Sequence, residues 1–348
     1  MSLLHVVKVF SLSTLAFVMG IFLMPLLLKF LSKINALKTI REDGTTPNFS
    51  RIHKEKSGTL TMGGILFIVT ELFIIFGVRF LHLILDIDAL LVLDFLSRAE
   101  TYLPLGALIF GGSVALIDDY MNCKKIGPKS GGMEMRLKLF IYTIISAVAA
   151  FWFYFKLEFS SIHIPFFGEF EMGLLYIPFF MLVFISTLFS VNETDGLDGL
   201  AGGTVFPILS VYSIIAFMQG KVDLATFGMV MVGSLLAFLW VNIPPAKVFM
   251  GDVGAVSLGI TIGIMAMLTN YSLLLPIIAF PIVIESLSVL IQIFYKKVFK
   301  KKKFESTPIH HHFQAKGMKE HTIVMRFWLV SFISAILGFV IFILDRVY

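Results

Sequence analysis

Ten long apolar stretches, separated by shorter polar segments, dominate this chain of 348 residues. A helix needs about 20 apolar residues to cross the roughly 30 Å hydrocarbon core of a bilayer. With 57% hydrophobic and 15% charged residues, the chain is also far more apolar than a soluble domain. We therefore predict an all-α, polytopic integral membrane protein that forms one domain over residues 1–348. The predicted spans cover residues 9–31, 59–80, 103–117, 137–156, 173–191, 200–219, 223–243, 254–270, 272–295 and 323–345.

Basic residues are divided very unequally between the two ends of these spans. One set of ends holds nearly all of them, including the run of six lysines within residues 296–303. The other set holds only Lys8, Arg79, Arg98, Lys221 and Arg346. Because positively charged loops remain in the cytoplasm, the first set is predicted to be cytoplasmic, and ten crossings place both termini outside. The net charge of +5 reflects this asymmetry and does not indicate a nucleic-acid partner.

The first apolar stretch is too long for the hydrophobic region of a secretion signal, so we predict that it is the first membrane helix. The lone Cys123 has no second cysteine with which to form an internal disulfide.

Chemically reactive side chains gather at the predicted cytoplasmic ends of the spans. Polar and charged groups are costly near hydrocarbon, so their convergence on one side predicts an active site there. The five groups are Lys56 to Thr61, Asp118-Asp119, Asn192 to Gly203, Asn242 to Asp252, and Pro308 to Gly317.

Two of these groups supply most of the carboxylates. Asp118 and Asp119 are predicted to close the third helix, where adjacent side chains point about 100° apart and take different partners. A carboxylate at a helix C-terminus is disfavoured by the helix dipole, so a compensating cation is expected. Asn192, Asp195 and Asp198 recur every third residue and would share one face if the helix continued through them; an acidic, glycine-rich connection between helices is the alternative.

Asp252 lies just before the next predicted helix, where both N-capping and metal binding are open to it. His310, His311 and His312 are consecutive, so their rings diverge and a three-histidine zinc site is not expected. One of them is expected to bind an anion or to take part in proton transfer. Lys56 is either an ordinary cytoplasmic lysine or a phosphate ligand beside Thr61 at a helix N-terminus.

Oxygen ligands without thiolates or spaced histidine pairs favour a hard cation, Mg²⁺ or Mn²⁺. Lysines and histidines around such a cation suit a diphosphate. The sequence has no G-x-x-x-x-G-K-[ST] loop, which argues against ATP-driven chemistry. We therefore predict the exchange of one phosphoanhydride for another.

The segments DDY at Asp118, NETDGLDGLAGG, VFMGDVGAVSLG and PIHHHF followed by KG and RFW resemble the phospho-N-acetylmuramoyl-pentapeptide transferases, within the polyprenyl-phosphate N-acetylhexosamine-1-phosphate transferase superfamily. The resemblance covers essentially the whole chain. It implies a ten-helix homodimer in the bacterial inner membrane with a cytoplasmic Mg²⁺ site. The enzyme would transfer phospho-N-acetylmuramoyl-pentapeptide from UDP-MurNAc-pentapeptide to undecaprenyl phosphate, giving lipid I and UMP.

The resemblance also implies roles for individual residues. Asp252 would be the Mg²⁺ ligand, and Asp118 and Asp119 would lie beside the reacting phosphates, with Asp118 as the base. His311 is expected to act in catalysis. The expected substrate-binding residues are Lys56, Thr61, Asn192, Asp195, Gly196, Leu197, Asp198, Asn242, Phe249, His310 and His312, with Gly196 and Leu197 holding uridine and Phe249 stacking on uracil.

Two mechanisms remain open, namely direct attack by the lipid phosphate and a covalent route through an aspartate nucleophile. Two other functions also remain open. One is a sister transferase that uses UDP-GlcNAc, and the other is a secondary transporter in which Glu71 and Glu285 carry protons within the membrane. We expect instead that each of these two glutamates is satisfied by a neighbouring helix.

Overall fold

The computed structural model describes residues 3–38, 58–86, 88–97, 100–128 and 131–347, and most of them are helical. A short antiparallel hairpin joins β1 (Ser161–Ile164) to β2 (Gly168–Glu171). The helices, in chain order, are α1 (Leu3–Lys33), α2 (Ile65–Leu85), α3 (Asp88–Leu93), α4 (Tyr102–Cys123), α5 (Met135–Lys156), α6 (Tyr176–Thr194), α7 (Leu200–Met218), α8 (Val222–Asn242), α9 (Gly251–Leu268), α10 (Leu275–Ile278), α11 (Phe280–Val298), α12 (Ile309–Ala315) and α13 (Glu320–Val347).

Within the described residues, nine helices are long and apolar enough to cross a membrane, and one bent pair would make a tenth. This finding confirms a polytopic, mainly helical membrane protein. Every predicted span corresponds to one of these helices or to the bent pair, although the boundaries differ from the prediction by up to six residues.

The span predicted over residues 272–295 is broken. A turn at Ser272–Leu274 leads into α10, and the axis then bends by 87° before α11 begins. Both α10 and α11 carry a proline in their first turn, Pro276 and Pro281. Because proline has no N–H to continue a preceding helix, each proline favours the start of a new one.

The third predicted span was too short. The predicted span covers residues 103–117, with Asp118 and Asp119 closing the helix, but α4 continues to Cys123, so both aspartates lie inside it. The compensating cation that the helix dipole led us to expect is Lys138, which pairs with Asp118.

Helix α9 forms the centre of the bundle, and almost all of it is buried. Gly259 and Gly263 lie four residues apart on the face that packs against α6. A Cβ atom built on Gly259 would lie 2.6 Å from the Cα of Leu188, so only a glycine permits this approach of the two backbones. The close packing fixes the N-terminus of α9, which carries Asp252, beside the end of α6.

Polar residues lie at both ends of the bundle. We call the end that carries Asp118, Asn192 and Asp252 the carboxylate face. The other end, which we call the opposite face, contains Lys8 at the start of α1, whose Nζ donates to Asp223 Oδ1 at 2.8 Å. Because successive spans alternate in direction, the starts of α1 and α8 and the end of α13 all lie at the opposite face.

The hairpin of β1 and β2 is the part of the fold that the all-α prediction did not include. It lies at the opposite face, where His163 Nε2 lies 2.7 Å from Asp345 Oδ2 and the Phe166 N–H donates to Asp345 Oδ1 at 2.5 Å. Strands of four residues between two apolar helices are too short to give a clear alternating pattern.

Candidate active site

A lysine joins two of the predicted carboxylates. Lys138, near the start of α5, donates to Asp252 Oδ2 at 2.9 Å and forms an ion pair with Asp118 Oδ2. Asn192, at the end of α6, donates from Nδ2 to the other oxygen of Asp252 at 3.1 Å. Four helices, α4, α5, α6 and α9, therefore bring one polar side chain each to a single cluster on the carboxylate face.

Asp118 is the more enclosed of the two carboxylates in this cluster. Its side chain is 2% exposed, whereas that of Asp252 is 31% exposed. Asp118 Oδ1 accepts the Met133 N–H at 2.6 Å, and Asn122 donates to Oδ2 at 3.2 Å. Asp118 thus holds the connection between α4 and α5, while Asp252 is the carboxylate that a ligand can reach.

Asp119 points away from its neighbour. Its Oδ2 accepts the Val253 N–H of α9 at 2.9 Å. It therefore takes one of the N–H groups that an N-cap residue would normally satisfy. The capping alternative for Asp252 is wrong, because Asp252 lies inside the helix that begins at Gly251 and its side chain bonds to Lys138 and Asn192.

The cluster supplies hard oxygen donors. Mg²⁺ retains water and is usually bound through one or two carboxylates together with substrate phosphate oxygens. Within the described ranges there is no group of three or more histidine, cysteine, aspartate or glutamate side chains arranged to hold a metal ion. The partly exposed Asp252 beside Asp118 and Asn192 fits a cation bound by one protein carboxylate and by phosphate.

The glycine-rich segment after α6 is not helical. The helix ends at Thr194, so Asn192, Asp195 and Asp198 do not share a helix face. Asp198 accepts the Ala246 N–H on Oδ2, and its own N–H donates to Glu320 Oε1, both at 3.0 Å. Asp195 is half-buried in the same segment. We call residues 195–199 the glycine loop.

Asn242 links the glycine loop to the segment before α9. Its Oδ1 accepts the Gly199 N–H at 3.0 Å, and its Nδ2 donates to the Val248 carbonyl at 2.9 Å. The side chain is 3% exposed. Trp328 adds a bond from Nε1 to the Gly199 carbonyl at 3.0 Å. Both polar groups of Asn242 are therefore used within the protein, which supports a structural role.

The remaining predicted substrate residues are more dispersed. Leu197 packs in a small apolar cluster with Leu200, Ile323 and Val324. Phe249 is half-buried, and its N–H donates to the Leu60 carbonyl at 2.8 Å. Thr61, which follows Leu60 in the chain, is buried beside this backbone contact. Lys56 lies outside the described residues.

The prediction that the three histidine rings of α12 diverge is wrong for two of them, because the ring centroids of His310 and His311 lie 4.0 Å apart. His310 is fully buried, and its Nδ1 lies 3.0 Å from Glu285 Oε2. His311 Nδ1 lies 2.8 Å from Gln314 Oε1, and His312 Nδ1 accepts the Glu305 N–H at 3.2 Å. Burial and the nearby Lys316 lower the pKa of His312, which favours its neutral form.

Two of the three histidines lie against the glycine loop. A Cβ atom built on Gly196 would overlap His310 Nε2 and lie 3.2 Å from His311 Nε2. His310 and His311 therefore face the loop, whereas His312 packs near Phe304.

Sequence reasoning missed one cation of the site. Lys138 lies inside the span predicted over residues 137–156. Because a lysine within an apolar span is costly, its presence there could have indicated a functional site. The expectation for Glu285 is confirmed for one oxygen, Oε2, which pairs with His310 of α12, whereas Oε1 has no hydrogen-bond partner among the described residues. The expectation for Glu71 is wrong, because neither of its buried carboxylate oxygens has a hydrogen-bond partner among the described residues.

Comparison with known proteins identifies the family. The model of the family described as "Glycosyl transferase family 4" matches residues 102–270, which include Asp118, Asn192 and Asp252. A phospho-N-acetylmuramoyl-pentapeptide-transferase of Listeria monocytogenes is 34% identical over 97% of this chain and 98% of its own length. The chain belongs to the phospho-N-acetylmuramoyl-pentapeptide-transferase family.

Two further transferases of the same name are similar to this chain. The protein from Citrifermentans bemidjiense is 36% identical over 93% of this chain and 88% of its own length. The protein from Geobacillus thermodenitrificans is 36% identical over 93% and 94%, respectively. Membership in this family makes the chain a transferase enzyme and goes against the transporter alternative.

Proposed function

We propose that this enzyme transfers phospho-N-acetylmuramoyl-pentapeptide from UDP-MurNAc-pentapeptide to undecaprenyl phosphate, forming lipid I and releasing UMP. The observation that carries the proposal is the meeting of Asp118, Lys138, Asn192 and Asp252 at one end of an apolar bundle. Such a place suits a reaction between a water-soluble nucleotide sugar and a lipid whose phosphate lies at the membrane surface.

The proposal includes the bacterial inner membrane as location, with the carboxylate face in the cytoplasm and both termini outside. The uneven distribution of lysine and arginine supports this orientation. The accessibility of Lys301→Cys on the carboxylate face and of Lys221→Cys on the opposite face to a thiol reagent would test this orientation in intact cells. A homodimer, which the family resemblance implies, remains a prediction that mass measurement in nanodiscs can test.

The donor set on the carboxylate face determines how the metal would be held. Asp252 and phosphate oxygens would hold Mg²⁺, which would offset the negative charge that develops on the departing UMP. Lys138 would supply a second positive charge, since it already lies against Asp252. His310 and His311, on the other side of the glycine loop, would donate hydrogen bonds to anionic oxygens of the sugar nucleotide.

The hydrogen bonds of the two adjacent aspartates favour direct attack by the lipid phosphate. Asp118 accepts bonds on both oxygens, and Asp119 accepts an N–H of α9. A nucleophilic carboxylate would have to give up these partners before it could form a covalent phosphoryl-enzyme. Within the direct route, Asp118 remains the proposed base towards the lipid phosphate, since its partner Lys138 can move to the incoming phosphate.

The decisive experiment reconstitutes the protein with undecaprenyl phosphate and Mg²⁺ and offers UDP-MurNAc-pentapeptide and UDP-GlcNAc in turn. We expect UMP release and lipid I only with the muramoyl-pentapeptide donor. Release with UDP-GlcNAc alone would support the sister transferase instead.

Asp252→Asn tests the metal assignment in the same assay. We expect turnover to fall by about 1,000-fold, because the substitution removes the accessible negative charge that the cation needs. The matched control is Asp223→Asn, an aspartate of the opposite face, for which near-normal turnover is expected. Equal activity of the two variants would overturn the ligand assignment.

A further inference from the structure

A fully buried glutamate and a fully buried histidine form a pair next to the candidate active site. Glu285 in α11 and His310 in α12 both have side chains that are 0% exposed. Glu285 Oε2 lies 3.0 Å from His310 Nδ1 and also accepts the His310 backbone N–H at 3.4 Å. One oxygen atom therefore holds both the ring and the backbone of the same residue.

Burial restricts the charge that this pair can carry. An isolated ionised carboxylate is very costly away from water, so the glutamate and the histidine together retain one proton and remain neutral overall. Glu193 of α6 lies near the pair and accepts a hydrogen bond at 2.5 Å from Ser286, the residue after Glu285. When Glu285 is ionised, the His310 ring can carry a positive charge while the pair remains neutral overall.

The direction of the ring links the pair to the reaction site. With Nδ1 directed at Glu285, the opposite nitrogen, Nε2, is directed at Gly196 of the glycine loop. A side chain at position 196 would overlap that nitrogen, so the loop backbone and the ring are in close contact. The glycine loop also connects directly to the end of α6, which supplies Asn192 to the carboxylate cluster.

We propose that Glu285 is a positioning residue, which holds the His310 imidazole with its Nε2 against the glycine loop and supports the positive charge of that ring during transfer. The inference rests on the proposed function, and it names the first histidine of the triplet as the one that Glu285 controls. An outer partner of this kind fixes the tautomer and the orientation of a histidine, as carboxylates do behind metal-bound imidazoles.

The first test is a double-mutant cycle in the reconstituted transfer assay. Glu285→Gln is expected to lower kcat by about 10–100-fold, the usual effect of removing such an outer partner, with a change in KM of less than about threefold. In a His310→Gln background the same substitution should cause no further loss, because its effect passes through the ring. An unchanged kcat, or an equal loss in both backgrounds, would overturn the proposal.

Glu71→Gln is the matched control. Glu71 in α2 is also 0% exposed, and it has no histidine partner among the described residues. Its substitution removes a buried carboxyl group without touching α12, so kcat should stay within about twofold of the wild type. A loss equal to that of Glu285→Gln would show a general effect of buried glutamates and would contradict the positioning role.

A spectroscopic measurement covers the case in which Glu285→Gln does not fold. Wild-type protein labelled with ¹⁵N-histidine should show a ring with a hydrogen-bonded proton on Nδ1 whose signal disappears in His310→Gln, while the Nδ1 signals of His163 and His311 remain. If no such signal is lost in His310→Gln, the proposal is overturned. Failure of the proposed function is distinguishable, since it would appear as a lack of UMP release by the wild type while this signal is present.

Discussion

The two polar ends of the bundle use charge in different ways. At the opposite face, carboxylates pair singly with cations, as Asp223 does with Lys8 and Asp94 with Arg79. At the carboxylate face, Asp118 and Asp252 share Lys138 among the described residues. The pairs of the opposite face balance in charge, whereas the cluster of Asp118, Lys138 and Asp252 has one carboxylate more than it has bonded cations, and a metal ion can balance it.

Removal of the divalent metal is expected to have the largest effect on turnover, and it should affect only the carboxylate face. We expect EDTA to abolish turnover, with restoration by added Mg²⁺. The thermal unfolding midpoint should change little, because Asp252 already has protein partners in Lys138 and Asn192. Full activity in the presence of EDTA would remove the distinction between the two faces.

Substitution of the central lysine should have the next largest effect. Lys138→Gln is expected to reduce turnover by about 100–1,000-fold, the scale seen when one preorganised electrostatic contact is lost. Lys8→Gln, the matched change at the opposite face, should leave turnover within about twofold of the wild type while it lowers the unfolding midpoint. Comparable turnover losses in these two variants would contradict the assignment of Lys138 to the active site.

Loss of Asn242 should destabilise the protein. Asn242→Ala leaves the buried Gly199 N–H and Val248 carbonyl without a partner, which we expect to lower the free energy of unfolding by about 2–4 kcal/mol. Asn270→Gly is the control at the opposite face, because glycine adopts the positive φ of this position without strain; the amide bonds to the exposed Glu169, and the expected loss is about 1 kcal/mol. Chemical denaturation in detergent measures both, and equal losses would show that Asn242 does not anchor the glycine loop.

Removal of the Tyr271 hydroxyl group, at the opposite face, is expected to have the smallest effect. Tyr271 donates to Asp345 at 2.6 Å, and Tyr271→Phe should lower the free energy of unfolding by about 1–2 kcal/mol. Asp345 retains its contacts with His163 and Phe166, which limits the loss. Turnover should be unchanged, and a large fall in turnover would indicate that the opposite face also contributes to the reaction.

Some of this organisation could be read from the sequence because it depends on local composition. Nine long apolar runs each form one helix and the tenth forms the bent pair, and the polar residues at the predicted cytoplasmic ends include Asp118, Asn192 and Asp252, which the structure brings together. Features that depend on tertiary partners could not be read in this way. The extension of α4 to Cys123 depends on bonds from Met133 and Lys138, and the pairing of Glu285 with His310 joins residues from separate helices.

Two other differences have more local causes. The 87° bend before α11 follows from prolines that were visible in the sequence but lay within a continuous apolar run. The end of α6 at Thr194 removes the helix face that would have joined Asn192 to Asp195 and Asp198. The structure therefore shows the alternative, a glycine-rich connection between helices, and the substrate-binding roles of these residues stay predictions.

The bond from Asp119 to the Val253 N–H has a consequence for how inactive variants are interpreted. Since this carboxylate clamps α4 to the first turn of α9, its deletion would shift Asp252 even if Asp119 never touched a substrate. An asparagine at position 119 keeps an oxygen that can accept the same N–H, whereas an alanine does not. Among variants of this residue, the ratio of asparagine to alanine activity therefore separates alignment of the scaffold from participation in chemistry.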